Sequence, residues 1–352
     1  MSTASELTNA ITIRKPADAV AIVPYLLGYH PQLSLVVLAI DDARVRGTMR
    51  LDLALDAAKM AERIQLLTDV LAGNHIHQAL LIGYGNGSLV TPAVDAAMEA
   101  LREAGISISE ALRVDDGRYW SYVCTDATCC PPEGVPFDLS GSAPAAAAVV
   151  AGMRVLPDRE SLAATLDPPA DFDRDSARRA MREVCDQARQ ACKDSSDWFR
   201  DGVQSIVTAL DRVQAGEALA TETASWLGVH LTAKPVRDMA MTYIRQYGPE
   251  THVRLWTEVI RKVPPEFAAA PATLLAFAAM CRRDGSLANI ALERALSASS
   301  RYTLALLLLE GLRVGLPPSK VFARDWSELA NDIIAQVREC PSAAWPLLPQ
   351  GW

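Results

Sequence analysis

A chain of 352 residues is long enough for two domains, and its balance, 50% hydrophobic and 22% charged, is that of a globular protein rather than a disordered one. A formal net charge of -8 argues against a protein that works by neutralising phosphates, so nucleic acid is not an expected partner. No membrane is expected either, because apolar runs such as residues 143–153 and 304–309 fall short of the roughly 18 residues a span requires.

The N-terminus carries no basic segment followed by an apolar core, and seven scattered cysteines do not form a secreted disulfide framework. The expected setting is cytoplasmic, with reduced thiols. Residues 1–13 read as a loose arm, with Ile11-Thr12-Ile13 as a short edge strand. Pro16 suits the first turn of a helix that Pro24 kinks or ends. Gly28 and Pro31 make a sharp turn into residues 34–40, apolar on both faces and hence a strand inside a sheet. Asp41-Asp42-Ala43 turns the chain, and residues 44–53 alternate strictly, which predicts a strand with one wet face hairpinned to the buried one.

A helix is predicted over residues 57–71, a second buried strand over 78–84, and a helix starting at Thr91-Pro92 and running to about 104. Residues 106–114 and 118–124 form a hairpin about Asp115-Asp116-Gly117, followed by a cysteine- and proline-rich loop. Short helices at 143–153 and 157–166 precede Asp167-Pro168-Pro169-Ala170-Asp171, the best linker in the chain. From residue 173 the hydrophobic period is 3.6 throughout, as in Ala177, Met181, Val184, Cys185, Ala188 and Cys192. Leu275, Ala276 and Ala279 with Ala288, Leu292 and Ala295, about Asp284-Gly285, follow the spacing of a tetratricopeptide-type hairpin. The expected architecture is an α/β domain with a mixed, mostly buried sheet over residues 1–169. An all-α domain over 170–352 follows it, either a helical bundle or a tetratricopeptide-like array.

Several of these stretches are distinctive: Lys15-Pro16-Ala17-Asp18, Pro24-Tyr25-Leu26-Leu27-Gly28-Tyr29-His30-Pro31, Trp120-Ser121-Tyr122-Val123-Cys124 and Cys129-Cys130-Pro131-Pro132-Glu133-Gly134. With Val236-Arg237-Asp238 and Gly315-Leu316-Pro317-Pro318, they resemble an actinobacterial family catalogued as a domain of unknown function. The resemblance implies a lineage and a cytosolic setting, and it carries no catalytic residues over to this chain.

Three places invite chemistry. Cys124, Cys129 and Cys130 put three thiols into seven residues, which suits zinc with His30 or His75 as a fourth ligand, a redox pair, or small hydrophobes bracing the loop. Adjacent cysteines are awkward ligands for one tetrahedral ion and no second knuckle exists, so bracing by packing is the expectation, with no cofactor and less than one zinc per chain. His30, Arg50 and Asp52 surround the turn and the wet strand; they suit acid/base or anion-binding work, or a plain ion pair. Gly83, Gly85, Gly87 and Ser88 lie where a buried strand meets a helix, a position α/β folds use for phosphates, but their spacing matches no nucleotide motif.

No HExxH or GxSxG constellation is present. The function is not legible from this reading. The leaning is a regulatory or protein-interaction protein using its helical half. The alternative is a small-molecule-binding or hydrolytic α/β enzyme with a site near Gly85, His30 and Arg50.

Overall fold

The computed structural model describes residues 13–41, 44–53, 56–138, 142–191, 195–316 and 325–352. The Ile11-Thr12 part of the expected edge strand, the turn at Asp42-Ala43, Cys192 and Pro317-Pro318 lie outside them. The chain divides into two compact units, Met1–Leu162 and Ala163–Trp352.

The first unit is built on a six-stranded mixed sheet of β1 (Ser34–Asp41), β2 (Arg44–Asp52), β3 (Gln78–Tyr84), β4 (Ser107–Asp115), β5 (Arg118–Ser121) and β6 (Val135–Pro136), in the order β2-β1-β3-β4-β5-β6. Among these six strands β3 and β4 alone pair in parallel, because a helix joins them, whereas a tight turn joins β4 to β5. Asp116 and Gly117 both take positive φ, the conformation a two-residue hairpin turn needs. β1 is buried from Ser34 to Ile40, as a strand covered on both faces must be.

One face carries α1 (Pro16–Leu27), which packs Ala19, Val20, Val23 and Leu27 over Val36, Leu38, Leu80 and Ile82. The Asp18 carboxylate accepts the amide N–H groups of Arg14 and Lys15 and so closes the helix start. Pro24 does not end this helix; the helix runs to Leu27 and stops at Gly28, whose φ of 79° is left-handed.

The opposite face carries α2 (Ala57–Gly73) and α3 (Gly87–Glu103), burying Ile64, Leu67, Val90, Val94 and Leu101 against Leu35, Val37 and Leu81. α3 starts four residues before Thr91, because the Asn86 side chain accepts the Leu89 amide and caps the helix there. Gly83 lets α3 sit close on β3: a Cβ at that position would lie 2.2 Å from Val90 Cγ1. α4 (Ala143–Val150) packs on α1, and α5 (Arg159–Ala164) reaches the unit boundary.

Among its described residues the second unit contains helices and no strand: α6 (Arg174–Ala191), α7 (Ser195–Gln214), α8 (Thr221–His230), α9 (Lys234–Thr242), α10 (Ile244–Lys262), α11 (Ala269–Cys281), α12 (Gly285–Ala298), α13 (Thr303–Arg313) and α14 (Trp326–Glu339). α10 breaks direction at Gly248 (φ 76°, ψ 155°), just before Pro249. Asp167, read above as linker, is tied into this unit: its carbonyl accepts from Arg261 Nε (3.2 Å) and its carboxylate pairs with Arg294.

α11 and α12 do form a neighbouring pair about a capped Asp284. Every residue of α11, however, is buried. A repeat hairpin leaves one helix face to solvent, whereas a helix buried all round is the centre of a bundle.

Candidate metal centre

The cysteine loop leaves the sheet edge after β5, which ends at Ser121 rather than continuing to Cys124. The Ser121 hydroxyl makes the break. Its Oγ accepts the amide N–H of Val123 (3.1 Å) and of Cys124 (2.9 Å) and donates to Glu110 Oε1 (2.8 Å), which also accepts the Ala111 amide. Asp126 then turns the chain: its carbonyl accepts the amides of Cys129 and Cys130, and its carboxylate accepts the Thr128 amide and hydroxyl.

The returning limb is clamped from β5. Trp120 Nε1 donates to the Pro132 carbonyl (2.9 Å), and an Arg118 guanidinium nitrogen donates to the Gly134 carbonyl (2.9 Å). Gly134 (φ 81°) lies flat on the indole; a Cβ there would come within 2.5 Å of Trp120 Cε2. The Arg113 guanidinium stacks on the same indole, 3.6 Å from the ring centre, and its Nη1 also pairs with Asp115 at 3.3 Å.

These two anchors bring Cys124, Cys129 and Cys130 together, with all three sulfurs within 4.8 Å of one another. Cys129 is exposed, and Cys124 and Cys130 are only partly buried. That corrects the expectation of small hydrophobes packed into a core: the Ser121 break and the Asp126 turn lift the thiols off the sheet edge. Desolvation, then hydrogen bonds that the Cys130 thiol donates to the Cys124 and Cys129 sulfurs and the repulsion of their charge, push the Cys130 thiol up to about 12. The Tyr119 hydroxyl is raised too, by burial first and then by the nearby sulfurs and Glu110.

Soft sulfur donors suit zinc or another thiophilic cation. With Zn–S bonds of about 2.3 Å, tetrahedral geometry sets the sulfurs about 3.8 Å apart, so closing on an ion requires movement of about an ångström or less. The donor set therefore fits. Neither His30 nor His75 joins the group; among the described residues it has three members.

The other expected places sit elsewhere. His30 is exposed, and its amide donates to the Leu156 carbonyl. Arg50 is tied to Asp52 (2.5 Å) and reaches the Gln32 carbonyl at 3.5 Å, beside the Tyr29 ring. Gly85 (φ 131°) lies against Leu33, the Gly87 Cα faces the Arg113 guanidinium, and the Ser88 hydroxyl donates to Asn86 Oδ1 (2.7 Å). His30, Arg50 and Gly85 thus share one end of the sheet, with Arg50 already committed to its neighbour.

Sequence reasoning missed the Ser121–Glu110 relay and the Arg113–Trp120 stack. Both depend on strand register, which composition and spacing do not give.

No helix among the described residues is long and apolar enough to cross a membrane. No curated protein and no solved structure matches the chain. One family model does, over residues 16–319: the chain belongs to the family described as a domain of unknown function, DUF4192.

Proposed function

We propose that the first unit is a thiolate metal-binding module, in which Cys124, Cys129 and Cys130 hold one thiophilic cation, zinc first among them. The ion would fix the 124–134 loop at the sheet edge. The observation that carries this reading is the approach of three sulfurs to within 4.8 Å of one another in a loop too exposed for packing to explain it. Bound metal replaces thiol protons, so binding should release protons and tighten as pH rises.

The reduced full-length chain is expected to take up one zinc per chain in competition with a chromophoric chelator, more tightly at pH 8 than at pH 6.5. The Cys129→Ser/Cys130→Ser variant should lose that uptake while keeping its far-UV signature. Zinc uptake below one per chain at both pH values, or uptake that persists in the variant, would return the cysteines to a purely structural role.

The helical unit is the half we assign to protein partners, supported by the exposed Leu306 and Leu307 of α13. The reducing cytosol is the compartment that keeps such thiols free. We also read the two units as independent α/β and all-α domains. Residues 163–352 expressed alone are expected to give a helical spectrum and a cooperative melt; a fragment without either would mean the halves share one core.

A further inference from the structure

We propose that the three-sulfur centre is open: the chain supplies three ligands, and the fourth position takes a small neutral donor, water or an imidazole-type nitrogen. This rests on the reading of Cys124, Cys129 and Cys130 as a metal centre. A thiophilic divalent ion that prefers four ligands must complete its shell, and closed structural sites do so from the protein while open ones leave a position to solvent or substrate.

Among the described residues no histidine, cysteine or carboxylate joins the three sulfurs. The two carboxylates that shape the loop are engaged. Asp126 Oδ1 holds the Thr128 amide and hydroxyl. Glu110 Oε1 holds the Ser121 hydroxyl and the Ala111 amide. Withdrawing either would release the turn or the strand break that brings the cysteines together.

The cluster is least covered at Cys129, its exposed member, so the open position lies on the solvent side. Charge selects the donor. Three thiolates around a divalent ion leave one net negative charge, Asp126 and Glu110 stand close by, and the whole chain carries -8. A further anion is disfavoured there and a neutral nitrogen or oxygen is not.

Glu133 is the exposed carboxylate that could swing in to close the shell, three residues from Cys130 and with its backbone held by Arg118. It therefore belongs in the test. Cobalt(II) is the probe, added anaerobically to the reduced full-length chain, because its visible bands report coordination number and its near-ultraviolet charge-transfer bands report thiolates. The expected result is a three-thiolate spectrum whose visible bands shift saturably with imidazole, respond at least tenfold more weakly to azide, and are unchanged by Glu133→Gln.

Thiolate bands that ignore imidazole, or that respond to it only once Glu133→Gln is made, mean a closed shell and overturn the open site while leaving the metal centre standing. Azide binding as tightly as imidazole overturns the choice of donor. The absence of thiolate bands, together with absence of zinc uptake, removes the metal centre itself.

Discussion

The helical unit should lose stability steeply between pH 6.5 and 5, before most carboxylates begin to protonate. His230 and His252 are both buried in it, and burial pushes each imidazole down to about 4; for His252 the Tyr243 backbone offsets part of that fall. His230 lies between Trp198 (ring centres 4.4 Å apart) and Trp226 (5.6 Å), and among the described residues its Nδ1 has no hydrogen-bond partner. His252 Nδ1 accepts from Trp256 Nε1 at 3.2 Å, a contact only the imidazole with an unprotonated Nδ1 can make.

Unfolded, each histidine takes up its proton near its ordinary pKa of about 6.5. The native state refuses that proton until about 4, so the unfolded state binds more protons across the window between. The stability these groups contribute is complete above the unfolded value and is lost as pH falls toward the folded one. By pH 5 the loss is about 2 kcal/mol per histidine as an upper figure. Urea unfolding followed by tryptophan fluorescence, at half-unit steps from pH 7.5 to 5, measures it. His230→Phe keeps a ring between the two indoles and should remove about half the slope. A flat wild-type profile across that range would show that neither histidine is held neutral.

Replacing Gly83 by alanine is expected to cost the first unit about 3 kcal/mol or more. The new methyl would stand 2.2 Å from Val90 Cγ1 and 3.3 Å from Val94 Cγ2, both on α3 and both fully buried. A valine methyl has no slack to retreat, so α3 must lift from β3 or the strand must bend. Because the cost comes from one contact, Val90→Ala should relieve it: the double variant should be more stable than Gly83→Ala alone, although Val90→Ala by itself leaves a cavity. Thermal melts of the four proteins decide the point. A Gly83→Ala chain within about 0.5 kcal/mol of wild type would mean that the β3–α3 packing is looser than described.

The elements of this fold were legible because their periodicities are long and clean. β1 has no polar residue after Ser34 until Asp41, β2 alternates, and helices such as α6 and α7 each keep one apolar stripe. Boundaries failed where proline was weighed too heavily. Pro24 and Pro92 both lie inside helices, since local capping at Gly28 and Asn86 outweighs the single backbone hydrogen bond each proline forgoes.

The site was half legible. Three cysteines in seven residues announce sulfur chemistry, but whether they face a core or water depends on where β5 stops. That is decided by a Ser121 hydroxyl bonding to a carboxylate on the neighbouring strand. The tetratricopeptide-like spacing is ambiguous for a similar reason. Small residues at helix crossings serve a repeat and a bundle equally, and only burial on every side of α11 separates the two.

That burial has a consequence for how the chain is made. α11 is thirteen residues of AAPATLLAFAAMC, and its one hydroxyl, on Thr273, donates back to the Ala269 carbonyl. It has no face that water can wet, and at this length an isolated helix is marginal even with good formers. α10 is synthesised before it, but α12 and α13, which form two of its other walls, emerge afterwards. On the ribosome the segment is only partly covered until residue 313 has cleared the exit tunnel, and Trp326 of α14, which meets Phe277 edge-on, arrives later still. The second unit thus has to complete itself late and all at once, and during that interval residues 269–281 are the stretch a chaperone would hold.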